Sequence, residues 1–390
     1  MKEGVGQSSM NEPAGQDVRL FTPLSLRGVT SRNRIMVSPM CQYMSSEGHP
    51  VDWHLVHLGR FALGGAGIIF VEETAVEEGG RKTESCAGIY SDEHIASYRR
   101  ITEFIRRHGA IPAIQLGHAG RKGACTPPWD GARPLVYESG SEGSNPWPLI
   151  SSSAEPASAE SQVPCEMSQS DIAAHIDLWK EAAVRSRDAG FDICEVHGAH
   201  GYLIHQFLSP VVNRRTDSYG GCIEGRMRFA LEIVEAVREV WPEDRPVFFR
   251  ISAVDGEGGA WDLEDSVRLS LELKKRGVDV VDCSSGGVTG PLTMSLVPRT
   301  PGYQVAFSER IKREAEVATV AVGLITEAEQ AEGILQRGEA DLVALARELL
   351  YNPNWPVHAA KELGHKDPYQ FVVPEHGWWL RRREKVRAGN

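Results

Sequence analysis

The sequence predicts one α/β domain, a TIM (β/α)8 barrel. Short apolar runs alternate with amphipathic stretches from Arg34 almost to the C-terminus, the alternation repeats eight times, and the runs are apolar on both faces. A parallel sheet buried under helices needs that two-sided apolarity, and its crossovers must be long enough to hold a helix. Eight such units over roughly 250 residues or more is the arithmetic of a barrel. An open doubly wound sheet would announce itself with a glycine-rich turn after the first strand. That strand ends instead in Ser38-Pro39-Met40-Cys41.

The elements follow in order. The strand-like runs are 34–40, 67–76, 111–116, 191–196, 247–252, 278–283, 317–322 and 341–346. The helical patterns between and after them are 53–63, 91–108, 170–189, 224–240, 263–276, 307–315, 326–336 and 355–363. Ser91-Asp92-Glu93 reads as a helix start, and Gly109, Gly277 and Gly338 as helix stops. Residues 125–164 break the alternation, being rich in Ser, Pro, Gly and Glu with Trp129 and Trp147 among them. A loop this long leaving the C-terminal end of a strand is either a cap over a site or a surface insertion. Residues 1–17 read as a flexible polar tail, 18–380 as the barrel domain, and 381–390 as a basic C-terminal tail.

Composition narrows the function. Of 390 residues 41% are hydrophobic and 24% charged, which is ordinary globular usage and excludes a disordered chain. The formal net charge of −11 argues against broad nucleic-acid or anionic-membrane binding. Seven scattered cysteines without a C-x-x-C pair fit a reducing compartment and argue against zinc, iron–sulfur or disulfide frameworks. No apolar run reaches a membrane span, and no apolar signal core stands at the N-terminus. The expectation is a cytoplasmic protein acting on a small molecule, with neither nucleic acid nor membrane as partner.

In a barrel the residues just past each strand share one mouth. Here they are Cys41 and Tyr43; Glu73 and Thr74; Gln115 and His118; His197, His200 and Tyr202; Arg250; Ser284 and Ser285; Gly323; and Arg347. Two imidazoles three residues apart can converge on one oxygen and polarise a carbonyl, with Tyr202 near enough to deliver a proton. A metal site lacks its further ligand here, and no H-E-x-x-H is present. Arg250, at the end of a buried strand, needs an anion or an electron-rich ring. Gly323, Ala346 and Arg347 sit in the loops where barrels bind phosphate. Gln115 suits the edge of a heterocycle. Together these ask for a phosphorylated ring cofactor, whose identity composition and spacing leave open.

Several blocks occur in a recognisable order: Asn33-Arg34-Ile35 through Cys41; Gln115-Leu116-Gly117-His118-Ala119-Gly120-Arg121-Lys122; His197 to Tyr202; Phe207-Leu208-Ser209-Pro210; and Asn213 through Gly221. On these the chain resembles the old yellow enzyme family of FMN-dependent ene-reductases from about Leu20 to about Trp379. Cys41 with Tyr43, and His200, resemble its thermophilic-like subgroup. The resemblance implies FMN across the barrel mouth, bordered by Ser38, Pro39, Met40, Cys41 and Glu73, with Gln115 and Arg250 on the ring and Gly323, Ala346 and Arg347 near the phosphate. It implies that His197, His200 and Tyr43 hold an α,β-unsaturated carbonyl or nitro compound. Hydride then passes from reduced flavin to the substrate, Tyr202 protonates it, and NADPH or NADH recharges the flavin. A homodimer or homotetramer is also implied.

Five positions depart from the family's pattern. Glu73 occupies a position that is usually small, Ala346 replaces a glycine before Arg347, and Cys222 and Gly225 stand where Ser and Asn are common. His376, in Glu375-His376-Gly377-Trp378-Trp379, falls where the subgroup carries an arginine that reaches a neighbouring subunit, and Trp378 or Trp379 is the candidate replacement. Two rival readings keep the scaffold: a flavin-dependent desaturase of saturated carbonyl compounds, and a non-catalytic flavin-binding sensor or partner protein.

Overall fold

The computed structural model describes residues 18–135, 146–255, 260–288 and 299–389. The expected tail at 1–17 and part of the 125–164 insertion lie outside the described residues. Eight parallel strands close into a barrel. They are β1 (Ile35–Val37), β2 (Ile68–Ala75), β3 (Ile111–Gly117), β4 (Ile193–Gly198), β5 (Val247–Ser252), β6 (Val280–Ser284), β7 (Ala318–Val322) and β8 (Leu342–Leu345). Each strand pairs with the next, and β8 returns to β1 through the register Val343 to Ile35.

Around the barrel run α1 (Asp52–Gly64), α2 (His94–Arg107), α3 (Gln169–Asp188), α4 (Leu203–Leu208), α5 (Ile223–Val240), α6 (Leu263–Lys275), α7 (Val305–Ala315) and α8 (Ala328–Gln336). After β8 come α9 (Arg347–Tyr351), α10 (Trp355–Glu362) and α11 (Pro374–Arg387). The predicted barrel is therefore the observed one.

Three local expectations change. β1 stops at Val37, and Ser38 leaves the sheet with its amide donating to the Leu345 carbonyl at 2.9 Å. α2 begins at His94 without a side-chain cap from Glu93; His94 Nδ1 instead accepts from the Ser91 amide at 3.2 Å. The basic run 381–387 is the second half of α11 rather than a tail. Arg381 pairs there with Asp367 at 2.7 Å, and the Tyr369 hydroxyl donates to Glu384 at 2.9 Å. A run of like charges lengthens into a helix when neighbouring carboxylates offset it.

Two apolar clusters divide the core. Met36, Ile68, Phe70, Ile111, Ala113, Ile193, Phe248, Val280, Val320 and Leu342 fill the barrel interior. The other faces of the same strands, such as Ile35, Ile69 and Phe249, join Trp179, Phe229 and Leu335 of the surrounding helices. That is why the runs read as apolar on both faces. Each fully buried Phe or Leu contributes about 1.5–3 kcal/mol by transfer from water. The two-stranded hairpin Leu24–Leu26 with Val29–Ser31 packs Leu24, Leu26 and Val29 against the interior cluster. The interior is apolar at that end and turns polar at the strand C-termini, where Gln115, Glu195, His197, Arg250 and Asp282 replace aliphatic residues.

Candidate active site

The first loop of the mouth follows β1. Cys41 and Tyr43 lie on it, Tyr43 in the left-handed region at φ 54°, edge-on to Trp129 of the insertion at 5.6 Å between ring centres. The second contribution depends on a β-bulge. Phe70 of β2 pairs with Ala113 of β3, yet the next pairing is Glu73 with Gln115, so β2 carries one extra residue. Simple alternation from inward-facing Phe70 would turn Glu72 inward and Glu73 outward. The bulge reverses this, as bulges beside functional sites do. Glu72 instead accepts from the Gln42 amide at 2.9 Å and lies 3.0 Å from His54 Nε2 on α1.

Glu73 therefore reaches the mouth, and a cation absent from the sequence-derived set meets it there. Lys82 Nζ lies 2.7 Å from Glu73 Oε2 and 2.7 Å from Cys41 Sγ. Lys82 and Glu73 are 5% and 4% exposed, so this ion pair is out of water. Burial opposes the ammonium, but Cys41 and Glu73 hold it protonated well above the ordinary lysine range. Burial pushes the Cys41 thiol up to about 12, with Lys82 pulling against it. Gly117 makes room for the carboxylate, since a Cβ there would come 2.1 Å from Glu73 Oε1.

The end of β4 and the loop after it bring the three predicted catalytic side chains together. His197 and Tyr202 have ring centres 5.2 Å apart, His197 and His200 5.0 Å, and His200 and Tyr202 6.4 Å. His200 is at φ 59°, and its Nδ1 lies 3.3 Å from His197 Nε2 while its Nε2 lies 2.8 Å from Ser284 Oγ. Burial first, and then the charges of His200 and Arg250 on His197 and that of Arg250 on His200, hold both imidazoles well below the ordinary histidine range. Both are neutral at physiological pH, so each is a one-proton donor. Burial pushes the Tyr202 phenol up, and the Lys82 ammonium opposes it from 5.0 Å over the ring.

Beneath them sits a layer in which the sequence pointed to Gln115 and Arg250 but not to Glu195 and Asp282. Gln115 donates to Glu195 Oε1 at 2.8 Å. Arg250 Nε lies 3.3 Å from Asp282 Oδ2, in a row where His197, Arg250 and Asp282 are register partners on β4, β5 and β6. Glu195 and Asp282 are wholly buried. Burial holds both carboxyls above the ordinary range, with Asp282 adding to the shift of Glu195 and Arg250 opposing both. A charged residue inside an otherwise apolar strand, as in Ile193-Cys194-Glu195-Val196 or Val281-Asp282-Cys283, was the signal for them. Lys82 had no such signal.

Among the described residues, two of the clefts lie at this end of the barrel. One, of about 390 Å³, is lined by Arg250, Ser284, Gln304, Gly323, Ala346 and Arg347 among others. Gly323 is at φ 117°, and a side chain there would meet Gln304 and Tyr303 at 2.9 Å. The other, of about 360 Å³, is lined by Tyr43, Lys82, Lys122 and Tyr202 on the barrel and by Cys125, Pro128 and Gln162 of the insertion among others. Trp378 and Trp379 line neither cleft; Trp379 and His376 face a groove between α10 and α11.

A further cluster, Glu77, His118 and His175, has the composition of a metal site. The Gly120 amide donates to His118 Nδ1 at 2.9 Å, which leaves the proton on Nε2, 2.7 Å from Glu77 Oε1. That proton suits a hydrogen bond and opposes a metal bond. Burial pushes Glu77 up, but bonds from both imidazoles hold it well below the usual carboxylate range.

The family model described as "NADH:flavin oxidoreductase / NADH oxidase family" matches residues 19–366. The chain belongs to this family. It is 47% identical over 364 residues to an NADPH dehydrogenase of Geobacillus sp. (strain WCH70), covering 93% of this chain and 99% of the relative. It is 42% identical over 362 residues to an NADPH dehydrogenase of Bacillus subtilis (strain 168), covering 92% and 99%. Among solved structures, morphinone reductase in complex with tetrahydroNAD superposes with a TM-score of 0.72 at 27% identity, covering 88% of this chain and 91% of that one. The chain is thus an NAD(P)H-dependent flavin oxidoreductase of the old yellow enzyme type, and its cofactor is FMN.

The residues at the mouth fit that cofactor. Ser38 Oγ, Glu195 Oε2, His197 Nδ1 and Arg250 Nε are buried polar atoms with no hydrogen-bond partner among the described residues. Such groups are costly unless a ligand or water satisfies them. The cleft at Gly323 and Arg347 offers a guanidinium and an open backbone to a phosphate. Among the described residues, no helix is long and apolar enough to cross a membrane.

Proposed function

We propose that this enzyme reduces the activated C=C bond of α,β-unsaturated carbonyl or nitro compounds at the expense of NADPH or NADH. The observation that carries the reading is the cluster of His197, His200 and Tyr202 beside a buried layer in which Glu195 Oε2, Arg250 Nε and Asp282 Oδ1 find no hydrogen-bond partner among the described residues. Ser38, Pro39, Met40, Cys41 and Glu73 would border FMN, Gln115 and Arg250 would face its ring, and Gly323, Ala346 and Arg347 would hold its phosphate. When bound, the flavin supplies hydride transfer between nicotinamide and substrate carbon.

The protein's own part is to bind, orient and protonate. His197 and His200, neutral and preorganised, donate to the carbonyl or nitro oxygen and draw charge toward it. Tyr43 flanks the same space. Tyr202, protonated because it is buried, delivers the α-carbon proton. The insertion lines the cleft beside Tyr43 and Tyr202, which supports a capping role for its described residues.

The test is an anaerobic titration followed by absorbance. The flavin band should bleach with NADPH and recover with cyclohexenone. Bleaching by a saturated ketone with no response to NADPH would overturn the reading. Enone binding and turnover that survive both His197→Ala and His200→Ala would refute the role given to that pair.

A further inference from the structure

We propose that Lys82 is a positioning residue of this site, its ammonium shared between Glu73 and Cys41 so that the three side chains act as one unit setting the net charge beside the flavin. The inference rests on the flavin reading above. Nζ lies 2.7 Å from Glu73 Oε2 and 2.7 Å from Cys41 Sγ, and the same ammonium stands 5.0 Å and 5.9 Å from the ring centres of Tyr202 and Tyr43. One cation therefore touches the thiol at the flavin border and faces both phenols of the substrate cleft, which it helps to line.

The arrangement is built rather than incidental. The bulge in β2 turns Glu73 inward, Gly117 leaves the space its carboxylate fills, and among the described residues Lys82 on Oε2 is the hydrogen-bond donor to that carboxylate while Oε1 has none. A buried carboxylate without its cation is an uncompensated charge, and so is the cation without the carboxylate. With both present the pair is neutral, which explains how a glutamate is tolerated next to a group that must accept electrons. A proximal cation favours electron uptake and a proximal anion opposes it. Removing either partner should therefore move the flavin in opposite directions.

Two readouts test this. At pH 9, Glu73→Gln should shift the two-electron reduction equilibrium of the bound flavin toward the reduced form by about tenfold, equal to about 30 mV. Lys82→Met should shift it the other way, and the double variant should return toward wild type. In FMN-free protein, alkylation of Cys41 by iodoacetamide, followed peptide by peptide, should slow by about tenfold in Lys82→Met and quicken in Glu73→Gln, since a neighbouring cation favours the thiolate.

A merely structural pair would lose stability in both variants without opposed shifts. Shifts of the same sign in the two single variants, or none, overturn the inference. Wild-type protein that binds no FMN but keeps the opposed alkylation rates would instead sink the flavin reading and leave the Lys82 unit standing.

Discussion

Replacing Arg250 by Met removes the cation that faces two buried carboxylates. Arg250 Nε lies 3.3 Å from Asp282 Oδ2, and at an effective dielectric of about 20 a pair at that separation attracts by about 5 kcal/mol. Both side chains are out of water, so solvent screening takes little from that figure. Breaking a buried pair by removing one partner costs about 3–5 kcal/mol, because the other charge is left behind. The expected loss for Arg250→Met at pH 8 is therefore about 3–5 kcal/mol, read by urea unfolding of the FMN-free protein.

The sign with pH follows from the direction of the carboxyl shifts. Glu195 and Asp282 titrate above their unfolded values in the folded protein, so their contribution is full below the unfolded value and fades as pH rises through the folded one. Without Arg250 those values rise further. The variant's deficit should then be smaller at pH 5 than at pH 8, and Arg250→Met combined with Asp282→Leu should recover much of it. A deficit below about 1 kcal/mol, or one that grows on acidification, would refute the role given to Arg250 as the counter-ion of that layer.

Other substitutions give independent checks. Gly117→Ala would place a Cβ 2.1 Å from Glu73 Oε1, so a loss of about 1–3 kcal/mol is expected by thermal or chemical unfolding, and combined with Glu73→Ala, which itself strands Lys82, the total loss should be less than the sum of the two. Glu77→Gln should cost about 1.5–3 kcal/mol at pH 6, where it accepts from His118 at 2.7 Å and His175 at 3.3 Å. Although burial opposes it, Glu77 raises the His175 value, so the part due to His175 is full below the unfolded histidine value and fades as pH rises through the folded one. Denaturation at pH 6 and pH 9 should therefore show a smaller deficit at the higher pH. Trp179→Ala, at a fully buried position in the outer core, should cost about 3–5 kcal/mol in the same assay while leaving flavin binding intact.

Much of this molecule was legible in the chain. Alternating runs specify strands and helices because burial on both faces leaves no other place for apolar residues such as Ile69 or Phe249. The order of those runs specifies the mouth, since parallel strands all end on one side, and this places His197, Arg250 and Gly323 there. Less legible were the buried charges. Glu195 and Asp282 sit inside strands that otherwise look like core, and their position shows only as a charge interrupting an apolar run. The helix at Pro374–Arg387 was hidden in a basic segment, because the partners of Arg381 and Glu384, Asp367 and Tyr369, lie outside that segment.

The sequence by itself determined the barrel, the family, and the set of residues at the strand ends, because periodicity and motif order are local properties of a chain. Only the tertiary structure decided which way Glu73 points, since one extra residue in β2 reverses the inward and outward faces beyond it. Only the fold joined Lys82 to Cys41, residues 41 positions apart on different loops. A contact across two loops leaves no period and no spacing rule in the chain, and its energy exists only once the barrel has closed and excluded water from both.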